Sequence, residues 1–356
     1  MLPRVVVLGA GVAGYPAIKQ LERAPVEVTV VEPSDYFQFK PALYHVLEGA
    51  SPDSTGFRLG PQLGKETAWI QERVQDIRPE ARTVETESQQ VGYDYLIVAL
   101  GGETPRVLPD DETVLRFETW QDAQRIHDRA TSVERVGVVG GGIKGIETAF
   151  KLEYMEDVDV TVFEAGERIT PQLRADNAER VEQELRGRGI DVRTETRVED
   201  VDAGTVVTEE GDAAEFGLVL EMTGVRPAEP VRTCFDGPLT VDRRLSSPDH
   251  DRVFGAGDAI ELTEGERTNR AYYATIEGQV AAQNVLHAIH DEELELYRPP
   301  DAPYLVSFGG RHGLYQGRRV SFTGVLPYLM ERFGVEKRFL WMYRYVPWWR
   351  HRPTLF

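Results

Sequence analysis

Short β-branched apolar runs alternate along the chain with stretches of helical spacing. Residues 4–8 (RVVVL) are such a run, the turn GAGVAG follows at once, Val12 to Arg23 has helical spacing, and 26–33 (VEVTVVEP) is a second apolar run. This order predicts strand, glycine turn, helix and strand within about thirty residues. Residues 135–165 repeat the plan about 130 residues later, with GGGIKG as the turn. Strands are also predicted in 68–77, 90–102, 190–202, 204–211, 215–227 and 252–258, and a long helix from about Asn269 to Ile289. The acidic stretch 291–296 and PPDAP (299–303) read as a connector, and 304–324 as a further sheet-like piece. The expected class is α/β, with two Rossmann-like dinucleotide-binding units.

Composition narrows the function. The 356 residues have 41% apolar content, enough for two or three cored units. The net charge of −19 disfavours nucleic acid as a partner. Arg outnumbers Lys 34 to six, which with the acidity resembles proteins of salt-loving archaea. Cys234 is the only cysteine, so no internal disulfide or CxxC pair can form, and no metal site is predicted. No run of 18 uncharged apolar residues exists and no signal peptide is read, so a cytoplasmic location is expected. Residues 301–356 carry +6, leaving −25 for the rest, so this last segment is expected to have a different partner.

The glycine turns carry the chemistry. In Gly9-Ala10-Gly11-Val12-Ala13-Gly14 the first glycine permits a tight turn, the second admits a pyrophosphate, and the third lets helix pack on strand. Glu32, 18 residues past Gly14, can accept hydrogen bonds from ribose hydroxyls. Gly140, Gly142, Ile143 and Gly145 repeat the motif, and Glu164 repeats the acid. A carboxylate at Glu164 favours NADH over NADPH, with Arg168 near enough in sequence to blur the preference. Glu147, just inside the second helix, either touches a bound ring or interacts with the helix N-terminus. Two NAD sites would have no chemistry between them, whereas FAD in one and NADH in the other gives hydride transfer.

These motifs, in this order, resemble the two-dinucleotide-binding-domain flavoproteins, the pyridine nucleotide–disulfide oxidoreductase superfamily, and within it type II NADH dehydrogenases (NADH:quinone oxidoreductases). The resemblance runs through most of the chain. It rests on GAGVAG with Glu32, YFQFKPALYHVLEGA (36–50), YDYLIVALGG, GLVLEMTGVRP with Gly224 and Pro227, and RVFGAGDAIE with Asp258. It implies an NADH-binding domain (105–229) inserted in an FAD-binding domain (1–104 and 230–298), followed by a C-terminal segment (299–356). It places Gly9, Gly11, Val12, Ala13, Gly14, Glu32, Lys40, Pro41, Val74, Ala99, Gly101, Gly257, Asp258, Ala274 and Thr275 at FAD. At NADH it places Gly140, Gly142, Ile143, Gly145, Glu147, Glu164 and Gly224. Phe39, Pro41 and Tyr44 would pack beside the flavin; Tyr44, Tyr273 and Ile276 are candidates for quinone contact.

Flavin and nicotinamide carry the hydride step, so no acid or base is obligatory; Glu147 and Lys40 are the catalytic candidates, with His45 a further proton donor to consider. The helix near Ala274 would point its N-terminus at the flavin. The single cysteine excludes the disulfide-reductase and sulfide:quinone branches. The branch's AQxAxQ-like run is here AYYATIEG (271–278), without either glutamine, so the acceptor stays open between a quinone and a small redox protein of ferredoxin or rubredoxin type. A non-catalytic NADH sensor is the third alternative. Residues 327–356 hold nine aromatics interleaved with arginines, and Phe339, Tyr343 and Val346 are expected to share a helical face ended by Pro347. Peripheral attachment to the inner face of the cell membrane is expected there; a homodimer interface or a lid is the alternative.

Overall fold

The computed structural model describes residues 1–155, 158–265 and 269–332. The predicted face of Phe339, Tyr343 and Val346 lies outside the described residues. Each glycine motif belongs to a five-stranded parallel sheet. The first runs, edge to edge, Val253–Gly255, Tyr95–Val98, Arg4–Leu8, Glu27–Val31, Ala68–Ile70. The second runs Val114–Arg116, Leu218–Glu221, Arg135–Val139, Asp159–Phe163, Asp191–Arg193. In both, the strand entering the glycine turn is central. Its apolar residues are continuous because both faces are covered: Val5 to Leu8 and Val136 to Val139 are all buried.

The repeat extends further than the sequence pattern showed. The 68–77 stretch divides: Ala68–Ile70 joins the parallel sheet, and Val74–Arg78 opens a three-stranded antiparallel flap with Thr83–Thr86 and Gln90–Gly92. The second unit carries a matching flap, Val198–Asp202, Thr205–Thr208 and Ala213–Glu215. Both flaps turn on a non-glycine residue at positive φ, Arg82 and Ala203.

The first core gathers the first sheet, the Gly14–Leu21 helix and the long helix Ala271–Ile289. These helices meet where Gly278 lies against Ala13; an added Cβ would stand 1.9 Å from the Ala13 carbonyl oxygen. The second core forms around the other sheet and the Ile143–Met155 helix. It also recruits Leu43, Val46 and Leu47 from the first unit's loop, and Val306, Phe308 and Leu314 from the C-terminal antiparallel meander (Tyr304–Ser307, Gly313–Gln316, Ser321–Gly324). Two chain crossings join the units, and they pair as the short antiparallel ladder Gly102–Glu103 with Arg226–Pro227. Among the described residues no helix is long and apolar enough to cross a membrane.

Candidate functional site

One cavity of about 2190 Å³ runs between the units and is lined by both glycine turns. The glycines divide into two jobs. A Cβ on Gly9 would stand 2.4 Å from the Ala99 oxygen, and one on Gly14 1.9 Å from the Gly9 oxygen. Gly140 and Gly145 are confined in the same way, at 2.5 Å from the Met222 oxygen and 2.0 Å from the Gly140 oxygen. These four let backbone pack on backbone. Gly11 and Gly101 have no atom within 4 Å of that position, and Gly142 only the Gln172 amide nitrogen at 3.8 Å. They open onto the cavity as a cradle that a side chain would fill, which is the shape a pyrophosphate needs.

The two strand-end acids have matching geometry. Glu32 accepts from the backbone N–H of Ala10 (2.9 Å) and Ser34 (2.9 Å). Glu164 accepts from Gly141 (2.7 Å) and Gly166 (2.7 Å). Each carboxylate is thus fixed to the middle of its turn while still lining the cavity. Burial raises the Glu32 pKa, against the two N–H donors and Arg73. Arg168 is committed elsewhere, donating to the carbonyls of Leu173 (3.3 Å) and Pro171 (3.2 Å).

Val12, Ala13, Lys40, Pro41, Tyr44, Val74, Ala99, Gly257, Asp258, Ala274, Ile143, Glu147 and Gly224 also line the cavity, as does Phe39. Five candidates do not: Gly14 and Gly145, which pack on backbone, and Thr275, Tyr273 and Ile276. The Thr275 hydroxyl turns back to the Ala271 carbonyl at 2.9 Å, inside the helix. Tyr273 points toward the connector, where its hydroxyl accepts from the Ala302 N–H (3.3 Å) and its ring stacks with Arg270 (5.2 Å). Ile276 is buried in the first core. Tyr272, one residue earlier, takes the place on the wall expected for Tyr273. His45 sits buried in the short helix Leu43–Leu47, off the wall.

Glu147 lines the cavity but reaches across to the C-terminal meander, where its carboxylate accepts from Ser307 N–H at 2.9 Å. Tyr44 donates to the Lys144 carbonyl (3.2 Å), and burial, reinforced by Glu147, holds its hydroxyl well above the usual phenol range. Glu277, overlooked in the sequence, is fully buried and accepts from the Gly257 N–H at 2.9 Å, holding the turn that presents Asp258. Glu118 was also missed. Lys40 Nζ lies 2.7 Å from one of its oxygens and Lys144 Nζ 2.9 Å from the other, with the Thr104 hydroxyl a third donor. Burial would raise the Glu118 pKa, but the two ammonium groups overcome it and hold the carboxyl at about 2. Cys234 lies off the cavity with its thiol on the Ile77 carbonyl (3.1 Å), and burial pushes that thiol up to about 11, far from a reactive thiolate.

Two glycine cradles thus face one cleft. Residues 3–283 match the family described as pyridine nucleotide-disulphide oxidoreductase, and the chain belongs to that family. FAD with a pyridine nucleotide is accordingly its cofactor set. It is 26% identical to the demethylphylloquinone reductase NdbB of Synechocystis, over 99% of this chain and 94% of that protein. It is 22% identical to the type II NADH:quinone oxidoreductase of Haemophilus influenzae, over 94% of each. Its fold matches NDH2 from Plasmodium falciparum in complex with NADH, with a TM-score of 0.82, 14% identity, and 97% and 99% of the two chains covered.

Proposed function

We propose that this chain is an FAD-dependent NADH dehydrogenase that passes electrons to a quinone without pumping protons. The shared cleft carries the reading: two open glycine cradles, each with a turn-bound carboxylate, face the same space, so two dinucleotides can meet ring to ring. Relatives named for quinone reduction, similar over nearly the whole chain, support the acceptor class. Bound FAD would supply the hydride-accepting chemistry. The chain's residues bind and orient. Gly11 and the start of the Gly14–Leu21 helix would hold the FAD pyrophosphate, Glu32 its ribose, and Asp258 the linking chain.

At the second cradle Gly142 would admit the NADH pyrophosphate. Glu164 would accept from the ribose hydroxyls and repel a 2′-phosphate, and Arg168, bound to carbonyls, is not placed to reverse that preference. Tyr44 and Tyr272 on the wall are the quinone-contact candidates. The aromatic, arginine-rich stretch 327–356 would hold the enzyme on the inner membrane face.

The test is anaerobic mixing of FAD-loaded protein with NADH, following flavin absorbance, and then adding a short-chain quinone. Rapid bleaching and quinone-driven recovery are expected. Bleaching without recovery would overturn the quinone assignment in favour of a small redox protein as acceptor. No bleaching with NADH or NADPH would overturn the donor assignment.

A further inference from the structure

Lys40, Glu118 and Lys144 form a cluster whose members come from different parts of the cleft. Lys40 sits in the first unit's loop, beside Pro41 and Phe39, and also donates to the Gly102 carbonyl at 3.2 Å. Lys144 is inside the second glycine motif, at the start of the Ile143–Met155 helix. Glu118 follows the Val114–Arg116 strand, just before Thr119 caps the next helix. All three line the cavity, at the seam between the two cradles.

We propose that Glu118 is a positioning residue that fixes two ammonium groups, one from each unit, in a cluster of net charge +1 facing the negative charge that reduction brings into the cleft. A hydride leaves NADH as NAD⁺ and carries two electrons and one proton, so the accepting ring gains one unit of negative charge. Two lysines placed side by side would repel each other, and in a partly buried wall the pKa of one would be pulled down. The carboxylate between them removes that conflict. Burial lowers the Lys144 pKa while Glu118 raises it, and Lys40 and Asp122 act on it from either side with opposite signs. Glu118, held near 2, stays an anion across the neutral range, so its part is a fixed charge and not a proton relay.

The inference rests on the flavin reading above, but its test uses neither NADH nor quinone. FAD-loaded protein is reduced with dithionite against a reference dye at pH 6, where a depressed lysine still keeps its proton, and the ratio of reduced to oxidised flavin is read at a fixed dye ratio. Glu118→Gln makes the cluster +2 and should raise that ratio roughly tenfold; Lys144→Gln makes it neutral and should lower it by about as much. The double variant restores +1 and should return close to wild type, and Lys144→Arg should not move it. Should Glu118→Gln fail to fold, Lys40→Gln, at a half-exposed site, must lower the ratio as Lys144→Gln does. Single variants that shift the ratio in the same direction, or not at all, would overturn the proposal, because a purely structural clasp has no reason to respond to the sign of the charge.

Discussion

Gly11 and Gly14 sit three positions apart in one turn yet answer to different constraints. Gly14 touches backbone, so Gly14→Ala forces the helix off the strand and should cost at least about 1–3 kcal/mol, read as a lower urea midpoint even without cofactor. Gly11 faces open space, so Gly11→Val should leave the apoprotein's midpoint within about 0.5 kcal/mol while FAD is no longer retained. If both variants lose stability alike, the cradle has been misplaced. Glu164 allows a second prediction at this scale. Replacing it with Ala removes the charge that would repel a 2′-phosphate, and the NADPH-to-NADH ratio of kcat/KM should rise by roughly tenfold or more. An unchanged ratio would mean that discrimination lies elsewhere on the wall. Both glycine turns and both acids were legible in the sequence because each falls at a fixed spacing within one strand–turn–helix–strand unit. Glu118 was not, because its lysines lie 78 and 26 residues away and only the folded cleft unites them.

The long helix Ala271–Ile289 shows what an element adds to its residues. Residues 274–278 are buried in succession, since the helix is covered on several sides. Apolar spacing therefore could not fix its rotation, and Tyr273 and Ile276 were expected on a wall that Tyr272 occupies. The same burial hides Glu277 in the sequence, where a charged residue inside a helix reads as a surface position. In the fold it terminates on the Gly257 N–H and couples the helix to the turn bearing Asp258. Glu277→Ala would leave that buried donor without its carboxylate, at a cost of about 1–3 kcal/mol. The loss should appear as a lower thermal midpoint together with faster FAD release, because the turn it holds also lines the cofactor cleft. A lower midpoint with unaltered FAD release would separate the helix from the site. The two antiparallel flaps make a related point. Thr83–Thr86 and all but the last residue of Ala213–Glu215 lie outside the strands expected from the sequence, and for the runs that were expected, the sheet each joins depends on pairing between distant strands, which periodicity does not encode.

At the scale of the whole molecule, charge is the dominant unusual feature. A chain of −19 opposes its own compaction and the approach of dinucleotides that carry negative pyrophosphates. Many ion pairs that offset this are exposed, such as Arg4–Asp94, Arg58–Asp35 and Arg197–Glu209, and exposed pairs contribute little and are weakened by salt. The better-buried pairs are insulated from screening: Arg116–Glu221 at 2.5 Å, with Glu221 fully buried, and Lys151–Glu48 at 2.7 Å. Salt therefore removes much of the repulsion and little of the attraction that matters. Raising KCl from 0.1 to 1 M shortens the screening length from about 10 to about 3 Å. The thermal midpoint should rise by several degrees, and FAD and NADH should both bind more tightly. A neutral osmolyte at equal osmolality separates screening from excluded-solute effects: screening predicts that KCl exceeds it. A midpoint that falls with KCl would mean that the exposed pairs act as a network, and that the fold depends on them more than on relief of its net charge.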